Sequence, residues 1–416
     1  MRTVTADEAI RSIPDGSAVV FPHGPIDLVE LYRAFRDEVE RFRDLTVYSG
    51  HSFGDYRFLG RGLGAHFRYV TWQASPRLRP LVSAGKIGYV PIRFGEIHRV
   101  VSRAGPIRPD VLLVQVSPPR RGEVSLGISV ALNQDFVRAA KLVIAEVNPH
   151  MPWTAGDSRV PVDRIDLAVE SGAPLGEYHT PPPSGRDRQI VDRVLDLVPD
   201  GAVVQLGLGS IPDRVLSRLA EKRKVNLFSG MLTGGLQSFV ESAKHTPKVT
   251  TGELAGDAEF YEFCGRTRLV RMATSRVTHD VPTLARVPRF VSINSTVEVD
   301  LQGQANGEAI GDVQISGVGG SLDYIEAATW SRGGLSILAL PSTTDDGKRS
   351  RIVAGLLQGT PVTTPRYAID TVVTEYGIAR LKGKELHARA EALIAIAHPD
   401  FRAALAAHVR FGPKLG

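Results

Sequence analysis

Two stretches of this chain run through the same order of features. Residues 14–31 read PDGSAVVFPHGPIDLVEL and residues 199–219 read PDGAVVQLGLGSIPDRVLSRL. Each opens with a Pro-Asp-Gly turn, enters a short β-branched strand, crosses a glycine-containing loop and continues into an amphipathic helix. A strand followed by a helix is one step of a largely parallel sheet. The same step repeated about 185 residues later implies two similar domains rather than one continuous core. The length agrees: 416 residues exceed one ordinary core, and a 43% hydrophobic, 23% charged composition can fill two. Between the copies lies GEYHTPPPSGRDR, whose Pro181, Pro182 and Pro183 can continue neither a helix nor a central strand. That places the boundary near residue 183, with domains at 1–183 and 184–416.

Short apolar runs predict strands at Ala18–Phe21, Leu45–Tyr48, Tyr69–Trp72, Val111–Val116 and Leu142–Val147 in the first domain. The second domain offers Ala202–Leu206, Val225–Phe228, Val249–Thr251, Phe290–Ile293, Leu335–Leu340 and Thr371–Thr374. Runs such as LSILAL carry no polar alternation, the pattern of strands covered on both faces. Helical periodicity at Pro212–Lys222 and Lys384–Ile396, and a stripe of Ile190, Val194, Leu197 and Val198 ahead of the second copy, complete an α/β protein with mostly parallel sheets. Val297, Val299 and Leu301 alternate with Glu298, Asp300 and Gln302, which predicts one half-exposed strand.

Several function classes fall away. Cys264 is the only cysteine, so no intrachain disulfide framework forms, and a small buried hydrophobe is its expected role. No leader-like start and no long apolar run occur, so a cytoplasmic protein without a membrane span is expected. The net charge of +5 is spread among acidic residues with no basic run, which argues against nucleic acid and suits a polyanionic small ligand. The 11 histidines are dispersed without metal-ligand spacing, so no metal is expected.

Two glycine clusters could meet such a ligand. GLGSIP, with Gly207, Gly209 and Ile211, follows a strand and opens a helix, where the first amides lack partners and favour an anion or an oxyanion. A plain strand–helix turn needs the same glycines, and Pro212 stands where a dinucleotide fingerprint has its third glycine, so a dehydrogenase is disfavoured. ISGVGGSLDY brings Gly317, Gly319 and Gly320 together and permits close backbone approach, or a tight turn. His23 and His51 each follow a strand and are expected to be hydrogen-bonded structural histidines. Nothing specifies a Ser-His-Asp hydrolase.

Longer strings carry a resemblance. VSPPRRGEVSLGIS (116–129), IAEVNPHMPWTAGDS (144–158), FVSINSTVEVDLQGQANGEAIG (290–311), SGVGGSLDY, LALPST and VVTEYGIARLKGK (372–384) resemble, in order and along almost the whole chain, the acetyl-CoA hydrolase/transferase family, which includes 4-hydroxybutyrate and acetate CoA-transferases. The resemblance implies two CoA-transferase-type domains, an active site in the cleft between them, a coenzyme A thioester as substrate, a carboxylate or other acyl acceptor and a homo-oligomer. It also implies a glutamate that carries CoA as a thioester, with amides of the two glycine loops, near Ile211 and Gly319–Gly320, holding the thioester oxygen. In the family that glutamate occupies a His-Ser/Thr-Glu-Met string. Here the string is LFSGMLTGG, so its place falls on Gly230, with Phe228 at the usual His and Gly234 at the usual Asp.

The readings that follow are an acyl-CoA transferase or hydrolase with an altered nucleophile, a silent CoA-ester-binding protein, or other ring-opening or carbon–carbon chemistry on a CoA ester. Glu253, in TTGELAGD, is the expected replacement carboxylate because it falls just past a strand neighbouring that of Gly230. A solvated loop-tip glutamate is the competing expectation. Glu308, in QANGEAIG, is the second candidate, with a supporting role suggested by its match to the family pattern.

Overall fold

The computed structural model describes residues 1–54, 56–180 and 184–409. The three prolines on which the sequence boundary rests, Pro181–Pro183, lie outside the described residues. The chain divides into two compact units. Unit one comprises Met1–His179, Gly230–Gly234 and Lys248–Thr278; unit two comprises Thr180–Ser229, Gly235–Pro247 and His279–Gly416.

Unit one is built on a sheet of eight parallel strands in the order Arg2–Thr3, Leu167–Glu170, Leu142–Val147, Val111–Val116, Ala18–Val20, Leu45–Ser49, Phe67–Thr71, Gly88–Tyr89. Its central run VLLVQV is buried at every residue, as expected of a strand covered on both faces. A second parallel set in this unit pairs Val249–Ala255 with Val270–Met272, and Val270–Met272 with Ala155–Gly156.

Unit two holds Thr371–Thr374, Leu335–Ala339, Phe290–Asn294, Val203–Leu206 and the first residues of Asn226–Thr233 in that order, all parallel, with Gly377–Arg380 antiparallel at one edge. Leu338, Leu340, Val372, Leu381 and Leu393 join its main apolar cluster.

The repeat seen in the sequence is a repeat in the structure. Gly16 and Gly201 adopt φ of +72° and +71°. Their amides donate to the carbonyls of Arg43 (2.9 Å) and Arg223 (2.8 Å). In return the amides of Arg43 and Arg223 donate to Oδ1 of Asp15 (3.0 Å) and Asp200 (2.9 Å). Each turn thus pins the start of its strand to the start of the next. Ala18–Val20 and Val203–Leu206 are then each flanked by two parallel partners.

The two copies differ where the following helix begins. In the first, helix Val29–Asp37 receives a carboxylate from inside the unit, because Glu146 Oε2 accepts from the amides of Glu30 and Leu31, both at 3.1 Å. Burial pushes the Glu146 carboxyl up to about 7, against the pull of those amides. In the second, helix Ser210–Arg218 starts at Gly209, which has no side chain to cap it.

One strand expectation is corrected. The alternating segment forms only Glu298–Asp300, and Asp300 is buried rather than solvent-facing. Its carboxylate accepts from the amides of Gln302 (3.0 Å) and Gln304 (3.1 Å), so it closes a turn that alternation alone cannot reveal. Among the described residues no helix is long and apolar enough to cross a membrane.

Candidate functional site

Glu253 is not on a loop tip. Its strand runs on from Val249 through Ala255, and Glu253 is 2% exposed. The reason is a partner far away in sequence. Leu254 N donates to Ile128 O (2.9 Å), while Val130 N and Ala131 N donate to Gly252 O (3.0 and 3.1 Å), an antiparallel bridge that sets Ser129 opposite Glu253. Glu253 and Gly230 are close in this unit, for Thr251 Oγ1 lies 3.4 Å from the Gly230 carbonyl oxygen.

Around the Glu253 carboxyl stand His23 and Ser129. His23 Nε2 is 3.5 Å from Oε1, and both side chains are nearly fully covered. Among the described residues Oε1 has no hydrogen-bond partner. Burial pushes the carboxyl up to about 8, with a hydrogen bond to Ser129 opposing it.

Ser129 Oγ donates its only hydrogen to the His23 carbonyl (2.5 Å) and accepts from Asn133 Nδ2 (3.0 Å). Asn133 completes the frame by accepting from His23 N (3.0 Å) and donating to His23 O (2.9 Å). The chain passes this spot as Gly24, at φ +109°, because a Cβ there would lie 2.2 Å from Ser129 Oγ and 3.2 Å from Glu253 Oε1.

A buried, protonatable carboxyl with one oxygen unbonded is a reactive group. Ionised, it is a poorly solvated and hence strong nucleophile or base; protonated, it is an acid. Of the surrounding residues, Ser129, Asn133 and Trp72 were missed in the sequence. The available signals were the string VSLGISVALN and a glutamate between glycines, but no local pattern joins residues 23, 129 and 253.

The remaining predicted residues belong to unit two. Gly207 is packed against Asn294, whose Oδ1 would lie 2.7 Å from a Cβ there. Asn294 is itself fixed by Gln205 and Ser292 at 2.9–3.2 Å. Ile211 buries its side chain, so its amide is the part that a ligand could use. Gly319 takes φ +67°, and Gly320 precedes helix Ser321–Trp330 without a side-chain cap. Both glycine clusters thus open helices of unit two whose N-cap residue, a glycine, has no side chain to cap the first amides, a donor set suited to phosphate or a thioester oxygen. Glu308 is engaged differently: its carboxylate accepts from Thr363 Oγ1 (2.9 Å) and Gln314 Nε2 (3.1 Å), which ties three segments together.

Cys264 is buried, and burial raises its thiol above the ordinary value. Among the described residues no group of three or more His, Cys, Asp or Glu could hold a metal ion. The strings 116–129 and 144–158 contribute Arg120, His150 and Trp153 to a separate hollow of about 600 Å³ in unit one.

Residues 6–174 match the model of the acetyl-CoA hydrolase/transferase N-terminal domain, and residues 256–409 match that of the C-terminal domain. Gly230 and Glu253 fall between the two matched stretches. The chain is 38% identical over 413 residues to a 4-hydroxybutyrate coenzyme A transferase of Clostridium kluyveri, covering 97% of this chain and 96% of the relative. Among solved structures it is similar to RipA of Yersinia pestis (TM-score 0.91, 29% identity, 98% of this chain and 96% of that one). It is also similar to a 4-hydroxybutyrate CoA-transferase of Porphyromonas gingivalis (TM-score 0.82, 32% identity, 98% and 97%).

Proposed function

Because this chain belongs to the acetyl-CoA hydrolase/transferase family, with CoA-thioester acyl chemistry as its activity, we propose that it moves coenzyme A between small carboxylates and that Glu253 carries the CoA. The observation that carries this reading is the buried Glu253 carboxyl, whose Oε1 has no hydrogen-bond partner among the described residues; the family resemblance puts Gly230 where a glutamate is usual.

Coenzyme A is a substrate in this scheme. Ionised Glu253 attacks the thioester carbonyl carbon, the C–S bond breaks, and CoA leaves as the thiolate while the acyl group stays on Glu253 as an anhydride. The thiolate then attacks the glutamyl carbonyl, expelling the donor carboxylate and leaving CoA on Glu253 as a thioester. An acceptor carboxylate runs the two steps in reverse. Within unit two, the amides at Ser210–Ile211 and Gly319–Gly320 are donors suited to a phosphate of CoA. Gln205, Ser292 and Asn294 hold the first of those loops in shape.

If water replaces the acceptor carboxylate, the same glutamyl thioester hydrolyses, which makes a hydrolase the second reading within the family. A panel of acyl-CoAs, followed for free thiol with and without carboxylate acceptors, separates them. Acceptor-dependent exchange of CoA is expected; thiol release that ignores the acceptor identifies the hydrolase, and binding without turnover refutes both. The single buried cysteine and the lack of any disulfide suit a reducing, cytoplasmic setting.

A further inference from the structure

His23 stands 3.5 Å from Glu253 on one side and accepts from two fixed donors on the other. The His51 amide donates to His23 Nδ1 at 3.2 Å, and the Trp72 indole Nε1–H donates to the same atom at 3.3 Å. Neither an amide nor an indole gives up its hydrogen near neutral pH, so Nδ1 must act as the acceptor. The ring proton therefore resides on Nε2, the nitrogen 3.5 Å from Glu253 Oε1.

The packing enforces this arrangement. Trp72 is 4% exposed and its ring lies nearly parallel to that of His23, with an interplanar angle of 17° and centroids 6.4 Å apart. Phe94 closes the edge at 5.1 Å. The backbone at position 50 runs directly against the His23–Trp72 contact. A Cβ on Gly50 would lie 2.1 Å from His23 Nδ1 and 2.2 Å from Trp72 Nε1, so only glycine leaves that hydrogen bond intact.

We infer that Trp72 and Gly50 lock His23 in a single tautomer, and that His23 is a positioning residue whose Nε2–H is held facing the Glu253 carboxylate for the moment it ionises. The inference rests on Glu253 being the reacting carboxylate. Once the carboxylate forms, a donor already aimed at Oε1 offsets part of the desolvation that opposes ionisation.

Ser129 approaches this carboxyl from the segment paired with the strand, and His51 follows on the far side of His23, with ring centroids 6.3 Å apart. Burial holds His51 down to about 4, so it brings no charge at neutral pH. His23 is thus the group through which the environment of Glu253 can be tuned.

Three variants test the inference: His23→Leu, His23→Gln and Trp72→Phe. Ionisation of Glu253 is read directly as the loss of the protonated carboxyl band in infrared spectra, taken as a difference against Glu253→Gln protein without substrate. The pH profile of acyl-CoA turnover is measured alongside. Both readouts are expected to move upward by about one pH unit in His23→Leu, because a charge-assisted donor is gone. A smaller upward move is expected in Trp72→Phe, where some His23 shifts its proton to Nδ1. His23→Gln, which can present an N–H to the carboxylate, is expected to recover part of the loss.

An unchanged or downward-shifted carboxyl band in both His23→Leu and Trp72→Phe, with folding confirmed, overturns the inference. If the band moves as expected while turnover ignores Glu253→Gln, the positioning stands and the assignment of Glu253 as the reacting carboxylate fails.

Discussion

Replacing Glu253 by glutamine is expected to make the protein more stable as pH rises while abolishing its turnover. The carboxyl is 2% exposed and burial lifts it from an ordinary 4.5 to about 8. An acid raised in the folded state holds its proton there while the unfolded chain has already lost it. Its contribution to stability is therefore fully present below about 4.5 and is lost as pH climbs through about 8. Between pH 5.5 and 8.5 that difference amounts to about 3 kcal/mol lost by the wild type and not by Glu253→Gln, whose amide does not titrate. The gap between the two proteins should thus widen by about 3 kcal/mol over that interval, whatever the glutamine costs or gains in packing. Urea unfolding of both proteins at several pH values, followed by circular dichroism, measures the gap directly. Contributions from Glu146 and every other titrating group are common to both proteins and cancel. Parallel stability curves would show that Glu253 ionises normally in the folded protein and would remove the physical basis for its reactivity.

Turnover at saturating acyl-CoA should rise with pH through about 8, since attack needs the ionised carboxylate; a flat profile from pH 6 to 9 would contradict this. Gly24→Ala should lower kcat by about two orders of magnitude, because a methyl 2.2 Å from Ser129 Oγ must displace a neighbour of Glu253, and wild-type kcat would refute the close approach. Gly319→Ala should weaken CoA binding about fivefold by calorimetry, as its φ of +67° is unfavourable for any side chain by about 1 kcal/mol. Unaltered affinity would separate that loop from the ligand.

Much of the fold was legible because its signals are local. The turns at Pro14–Gly16 and Pro199–Gly201 need particular residues in sequence, and runs such as VLLVQV declare strands buried on both faces. Strand ends were less legible: TTGELAGD reads as a glycine-rich loop, yet pairing with residues 128–131 extends the strand through Ala255 and buries Glu253. Asp300 misled in the same way, since its charge suggested solvent while its carboxylate closes a buried turn. The site depends on contacts across more than one hundred residues, His23 with Ser129 at a sequence separation of 106 among them. No periodicity or spacing encodes such a meeting; it arises only when separate strands are laid side by side. The two glycine loops could be found in the sequence because an uncapped strand–helix junction carries its own local signature.

The central claim is that Glu253 bonds covalently to the substrate. Protein treated with acyl-CoA and then with borohydride or hydroxylamine, digested and read by peptide mass, tests it most directly. The account requires a modified peptide containing Glu253, absent from Glu253→Gln protein and from samples given free CoA. A modification at another carboxylate such as Glu308, or active turnover with Glu253 unmodified and replaceable, would contradict it.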